Sequence, residues 1–326
     1  MLNTIQCGDA AFLLKQIPDA SVDMVVTSPP YYKQREYNHA KLTVGNEDTV
    51  EHYIDSLMDT FVQVARVVKP AGNIVYNLGD KYVDRSLLLV PFRFALAATQ
   101  RASVRLVNNI TWVKTNPTPR QFTRRLVSST EPFFHFALTD DYYYDRDRFL
   151  ESKDKVTPRR PGPGTGAHYR WLIGESPMTP AQKRMANQEL DDVIADMHRG
   201  DISDFRMKIK GIHAEAFGGQ SGGRKSQMDN KGFTIIRMNG RRMKRDVIES
   251  SVESIPGISH SAVFPVAIIR ELVRMLCPPG GVVMDPYMGS GSTAVAAKTE
   301  GCHYIGVDID PAYCDMARER AQQCLI

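Results

Sequence analysis

The chain has no apolar run of membrane-spanning length, and its first residues, MLNTIQCGDA, lack a basic-then-apolar leader. A soluble, cytoplasmic protein is the expectation. Cysteine is scarce: Cys7, Cys277, Cys302, Cys314 and Cys324 are scattered, odd in number and without a C-x-x-C pair. That pattern argues against a disulfide framework and a structural zinc site, leaving reduced, mostly buried thiols and no metal as the expectation. No internal repeat is present. Basic excess is missing from most of the sequence, since outside residues 151–250 there are 22 Lys/Arg against 24 Asp/Glu. Within 151–250 the balance is 19 against 13, so the whole positive excess behind the net charge of +4 sits in the middle third. A polyanion suits that third, with solvated surface charge as the plainer account.

What is there is well cored. A hydrophobic fraction of 42% and a charged fraction of 24% over 326 residues suit one large α/β domain carrying an insertion. Ser21–Thr27 (SVDMVVT) reads as a short buried strand, and Asp48–Lys69 spaces its apolar residues as a helix does. The helix is expected to stop at KPAG, before a strand at Asn73–Asn77. A second helix is expected over Ser86–Gln100 and a strand over Asn108–Val113. Strands alternating with helices imply a parallel sheet covered on both faces. The rhythm lapses near Glu151, where TPRRPGPGTG (157–166) and the Gly-rich 213–227 read as loop. It resumes with a helix over 264–276, a strand in GGVVMDP, a Gly turn, a helix, the strand HYIGVDID and a last helix begun by Asp310-Pro311. An α/β domain is thus split in sequence by an irregular basic insert.

In VVMDPYMGSGSTAVAA (282–297) a strand ends in an acid, a Gly-x-Gly turn follows and a small-residue helix starts at once. Glycines there let backbone approach a ligand, and the helix start favours an anionic group such as a carboxylate. One strand-helix unit later Asp308 ends another strand, the position of a ribose-binding acid in nucleotide-binding sheets. The full G-x-G-x-x-G fingerprint is absent, because Gly289 and Gly291 are followed by Thr293 and Ala294. A nicotinamide enzyme is therefore less expected than one using another adenosyl cofactor.

DPYMGSGST (285–293) together with TSPPYY (27–32) resembles the signatures of the DNA amino-methyltransferases, which use S-adenosylmethionine. The catalytic motif precedes the cofactor motif, the order of the β group of that family. The resemblance implies a Rossmann-like α/β methyltransferase fold, mostly parallel, with circularly permuted motif order and an inserted target recognition domain. Its arms cover residues 1–150 (catalytic half) and 255–326 (cofactor half), with 151–254 as the recognition insert. It implies cofactor contacts from Asp9, His260, Phe264, Asp285, Pro286, Tyr287, Gly289, Ser290, Gly291, Ser292, Thr293 and Asp308; Ser261 and Tyr287 stand where proline and phenylalanine are commoner. It implies catalysis by Ser28, Pro29, Pro30 and Tyr31: the Ser28 hydroxyl and the Pro29 carbonyl accept from an exocyclic amine while Tyr31 stacks on a base taken out of duplex DNA. Segments 112–119 and 128–136 resemble those lining the far side of the active site. No Pro-Cys pair occurs, so the covalent route to carbon methylation has no candidate nucleophile.

Ser28, where adenine enzymes of this type usually carry Asp or Asn, favours cytosine N4, with adenine N6 as the rival. A catalytically idle DNA-binding protein on the same scaffold and an RNA or protein amino-methyltransferase stay open too. For DNA contact the candidates are Lys33 and Arg35 beside the catalytic turn, Lys114, and Arg237, Arg241, Arg242, Lys244 and Arg245 in RMNGRRMKR (237–245). His168–Trp171 read as a loop within reach of DNA or packed under the insert. A cognate restriction endonuclease is a candidate partner, and the sequence leaves the oligomeric state open.

Overall fold

The computed structural model describes residues 2–33, 44–117, 122–149, 161–214, 223–238, 245–253 and 264–324. The chain divides into two compact units, one made of residues 1–150 with 244–326 and the other of residues 151–243. The expected domain edges at 150/151 and 254/255 fall on residues outside those described.

The first unit begins with β1 (Thr4–Cys7), α1 (Ala10–Leu14), β2 (Val22–Thr27), α2 (Val50–Val67) and β3 (Val68–Asn77). A small hairpin of β4 (Tyr82–Val83) and β5 (Ser86–Leu87) precedes α3 (Val90–Arg101), β6 (Arg105–Lys114) and β7 (Thr130–Ala137). The second unit contains α4 (Ala167–Glu175), α5 (Pro180–Arg199), β8 (Asp204–Ile209), α6 (Arg224–Lys231) and β9 (Phe233–Met238). The first unit then resumes with β10 (Val247–Ser250), α7 (Val266–Leu276), β11 (Val282–Asp285), α8 (Ser292–Thr299), β12 (His303–Asp308) and α9 (Pro311–Gln323).

Eight strands form its main sheet in the order β1-β12-β11-β2-β3-β7-β6-β10. All neighbours run parallel except β7, which is antiparallel to both β3 and β6. At the centre β11 pairs with β2, Val283 opposite Met24 and Met284 opposite Val25, so the two ends of the chain interlock in one sheet. β2 is buried nearly throughout, as a strand with helices on both faces must be. On one face α2 lays down Tyr53, Ile54, Leu57, Phe61 and Val64, and Phe61, Tyr76, Phe94 and Phe136 meet with ring centroids 5.1–6.3 Å apart. On the other, α7 buries Ile268, Ile269, Leu272, Val273 and Leu276.

Two expected boundaries move. KPAG lies inside β3, because Val68 pairs with Val22 across a register shift and the Lys69 ammonium grips Asp23 at 2.8 and 2.9 Å. The second helix starts at Val90 instead of Ser86. Leu89 sits at φ +57 ahead of Pro91 in the first turn, and Ser86–Leu87 pair back onto β4.

The second unit has its own core of Leu172, Ile173, Leu190, Val193, Phe205, Met207, Ile209 and Phe233, with β8 and β9 antiparallel. The expected irregular insert is therefore a folded unit. α5 opens with a Thr179–Gln182 capping box and buries Ala186, Leu190, Val193 and Met197, a helical stripe hidden in a charged stretch. His168–Trp171 lie on α4 rather than in a loop, with Trp171 61% exposed and stacked on His168, and Arg170 ion-paired with Asp191 of α5. Within the Gly-rich stretch, Arg224–Gln227 start α6.

A buried imidazole lies in the sheet. His135 on β7 bonds Asn73 Oδ1 at 2.8 Å, and burial lowers its pKa from 6.5 to about 4. The folded state therefore disfavours the imidazolium, and the stability this group contributes, complete above pH 6.5, is lost as pH falls from 6.5 towards 4. The full difference amounts to ~3 kcal/mol. Urea unfolding of wild type and His135→Gln at pH 7 and pH 4.5 checks it: the wild type should lose the more stability between the two. No helix among the described residues is long and apolar enough to cross a membrane.

Candidate active site

From the β11–β2 pair strand order runs outward in both directions, and in open α/β sheets ligands bind beyond the carboxyl ends of strands at such a point. Two sequence motifs meet there. After β11 come Pro286–Gly291 and α8; after β2 come Ser28, Pro29, Pro30 and Tyr31.

Asp285 joins the two strands. Its carboxylate accepts from Thr27 Oγ1 of β2, from Thr293 Oγ1 of α8 at 2.6 Å and from the Tyr287 amide at 3.0 Å. It is 2% exposed, and burial pushes its carboxyl up from 3.8 to about 6 against the pull of those bonds. Asp285 and Thr293 thus brace the turn from inside. Asp308, at the end of β12, receives the amides of Gly289 at 2.7 Å and Asp310 at 3.0 Å, one on each oxygen, and burial raises its carboxyl. The carboxylate still has acceptor capacity for a further donor.

The turn is shaped for close approach. Gly289 has φ +52, and among the described residues a Cβ there would meet only the Tyr287 carbonyl, at 3.9 Å, so they leave this flank open. Gly291, at φ +87, packs against Ala317 of α9, where a Cβ would stand 2.7 Å from its Cα. α8 has no side-chain cap, so its first N–H groups are available to an anion. Arg320 of α9 backs the turn by donating to the Ser290 carbonyl at 2.7 Å and hydroxyl at 2.9 Å. Open glycine, acid and bare helix start fit a nucleoside carrying a carboxylate.

Around this turn the other expected cofactor residues divide. Asp9 is exposed and caps α1, accepting from the Phe12 amide at 2.8 Å. The Tyr287 hydroxyl donates to Thr60 Oγ1 of α2 at 2.9 Å, and Pro286 and Ser292 are buried. Phe264 stacks on Phe133 at 5.6 Å. His260 lies outside the described residues.

Beside β2 four oxygens gather. The Tyr31 hydroxyl lies 2.8 Å from Asn77 Oδ1 and 3.0 Å from Glu131 Oε2, and Ser28 Oγ lies 3.3 Å from that hydroxyl and 3.4 Å from Asn77 Oδ1. The Asn77 amide hydrogens turn away, donating to the Pro132 carbonyl, and Lys114 pairs with the other Glu131 oxygen. Burial, and then Glu131, hold the Tyr31 phenol well above its ordinary pKa, so it remains protonated. Two hydroxyl hydrogens therefore serve four oxygens, which leaves a surplus of acceptors. Such a cluster is completed by a ligand with two N–H donors on one atom. Gly79 supports it: a Cβ there would lie 2.5 Å from Tyr31 Cε2, so the ring rests on bare backbone.

The expected DNA contacts fare unevenly. Lys114 is mostly buried, ion-paired to Glu131 and 4.9 Å above the Trp112 ring, which makes it part of the pocket wall. Lys33 is exposed and donates to the Asp48 carbonyl at 3.1 Å. Arg237 pairs with Asp196 at 3.1 Å within the second unit, and Arg245 is exposed. Arg35, Arg241, Arg242 and Lys244 lie outside the described residues. Sequence reasoning passed over Asn77, Gly79, Glu131 and Arg320. Asn77 offered a signal, a polar residue closing the apolar strand NIVYN; Arg320 offered none.

The profile of the family described as DNA methylase matches residues 22–319. Type II methyltransferase M.SfiI of Streptomyces fimbriatus is 26% identical, the match covering 94% of this chain and 88% of that protein. M.Cfr9I of Citrobacter freundii is 23% identical over 97% of this chain and 86% of its own length. Among solved structures, PvuII DNA methyltransferase, described as cytosine-N4-specific, superposes with a TM-score of 0.62 at 16% identity, covering 98% of this chain and 86% of that one. A Thermus thermophilus protein described as a DNA modification methylase, complexed with S-adenosyl-L-methionine, gives 0.56 at 21% identity, covering 98% and 93%. These superpositions show a shared Rossmann-like fold.

Proposed function

The chain belongs to the DNA methylase family, in the β group of its amino-methyltransferases, and from that premise we propose that it methylates the exocyclic N4 of a cytosine flipped out of double-stranded DNA. The acceptor-rich cluster of Ser28, Tyr31, Asn77 and Glu131 carries this reading. An exocyclic amine is a poor nucleophile because its lone pair is delocalised into the ring. Acceptors fixed around its two hydrogens hold it in a more nucleophilic geometry, and the rigid Pro29-Pro30 backbone keeps Ser28 and the Pro29 carbonyl in place. Tyr31, seated on Gly79, offers its ring to the base.

In this reading S-adenosylmethionine, when bound, supplies an electrophilic methyl group. Asp308 takes its ribose hydroxyls, the open flank at Gly289 admits it, and the start of α8 receives its carboxylate. The amine nitrogen would take that methyl in line, its new bond forming as the methyl–sulfur bond breaks and the donor leaves as a neutral thioether. It would then shed a proton, for whose exit the Tyr31 hydroxyl links the pocket to the Glu131 carboxylate. Ser28 in place of Asp or Asn favours cytosine over adenine. The 151–254 segment serves as target recognition domain, and RMNGRRMKR supplies phosphate contacts. Neutralising Arg245 with Arg241, Arg242 and Lys244 should lower the slope of log affinity against log salt by about one unit per lost contact.

Sequencing methylated DNA from cells expressing the protein, with detection that separates 4-methylcytosine from 6-methyladenine, tests the reading. Methyladenine alone would shift the activity to N6, and unmodified DNA would end it. A second expectation concerns support of the ring: Gly79→Ala displaces Tyr31 and should slow transfer about ten- to hundredfold. The protein should still unfold in one cooperative transition, because the clash falls on a side chain and not on backbone.

A further inference from the structure

We propose that the segment 122–127, between β6 and β7, is a wedge that enters the base stack of the DNA duplex and fills the space vacated by the target base; this rests on the amino-methyl transfer reading above. Its tip is apolar and held out in solvent. Leu126 is 90% exposed, with Val127 at 38% and Phe122 at 37%. Isolated exposed leucines are ordinary, but this one follows two arginines on a braced loop. The Arg125 guanidinium is sandwiched between two rings, 3.6 Å from the Phe122 centroid and 3.7 Å from the Tyr82 centroid on β4. Cation–π contacts with both rings hold the segment in shape without neutralising its charge. Neither Arg124 nor Arg125 has a carboxylate partner among the described residues.

The supports of this loop are also walls of the pocket. Its stem closes where the Lys114 amide donates to the Ser129 carbonyl at 2.8 Å, and the Lys114 side chain grips Glu131, whose carboxylate bonds Tyr31. Tyr82, the second clamp ring, follows Gly79 by three residues, and Gly79 carries the Tyr31 ring. A base drawn toward Tyr31 therefore leaves its gap next to a cationic loop with an apolar tip, braced by Arg125 between its two rings. Apolar side chains inserted between base steps replace lost stacking, and arginines with no carboxylate partner among the described residues suit the flanking phosphates.

The probes are two oligonucleotide duplexes carrying the methylated site, one fully paired and one with an abasic residue opposite the target base, where the stack is already broken. In single-turnover transfer Leu126→Gly should be about tenfold slower than wild type on the paired duplex and within about twofold of it on the abasic one. Leu126→Met, which keeps an apolar tip, should match wild type on both. Equal slowing of Leu126→Gly on both duplexes, or none on either, overturns the wedge and leaves the patch to some other contact, such as a protein partner. Wild-type protein that transfers no methyl to either duplex removes the premise instead, before any variant is read.

Discussion

Ser28→Ala slows single-turnover methyl transfer about a hundredfold, the usual cost of one preorganised polar contact to a reacting group, while cofactor and DNA affinities stay near wild type. The expectation follows from the count of hydrogens around Asn77. With Ser28 removed, Tyr31 still meets Asn77 at 2.8 Å and Glu131 at 3.0 Å, so the wall of the pocket survives and only one acceptor for the amine is gone. Tyr31→Ala behaves differently, because it removes the ring as well, and should lose both rate and the fluorescence of a flipped-base analogue. A Ser28→Ala protein with wild-type turnover would refute the role and, with it, most of the case for cytosine. The same surplus of acceptors rejects a base with a carbonyl at the corresponding position, such as thymine, since lone pairs would then face lone pairs.

Asp285→Ala and Asp308→Ala, both strand-end acids, are expected to part company. Asp285→Ala strands two buried hydroxyls and an amide and disconnects β11 from β2 and α8, which should cost about 3 kcal/mol of stability or more. Its carboxyl, raised to about 6 from 3.8, holds a proton more tightly folded than unfolded. The stability it contributes by titration is thus complete below pH 3.8 and fades as pH rises through about 6, a dependence the variant lacks. Asp308→Ala leaves those braces intact. It strands the Gly289 and Asp310 amides but no buried hydroxyl, so it should lose less stability than Asp285→Ala yet bind S-adenosylmethionine at least about tenfold more weakly. Calorimetric titration beside urea unfolding separates the two, and unchanged affinity in Asp308→Ala would remove it from the cofactor site.

The difference between these acids marks what was legible in the sequence. Strand ends, the Gly turn and the order of motifs are local patterns, and they led to the right sheet, in which Ser28, Tyr31, Asp285 and Asp308 stand at the carboxyl ends of the neighbouring strands β2, β11 and β12. Which oxygen faces inward is decided by partners far away along the chain. Thr27 stands 258 residues before Asp285, and nothing near either shows that the carboxylate is spent on the hydroxyl. Lys114 misled for the same reason: a lysine closing a strand reads as surface charge until Glu131 of the antiparallel neighbour closes over it. In the insert, composition hid the core of α5, whose four buried residues are spread over about three turns of charged helix.

The pairing of Val283 with Met24 also sets an order of assembly during synthesis. β2 leaves the ribosome long before β11 exists, and until then one of its edges has no partner. Closing so long a loop costs chain entropy that grows only slowly with length but delays the contact, as non-local pairings do. Meanwhile Val22–Thr27, an apolar strand with an open edge, is exposed to wrong pairing and to chaperone capture. The Ser28 turn waits for Asp285 to brace Thr27, so the emerging chain has no finished pocket, and the crevice closes only once the strand carrying Asp285 has been made.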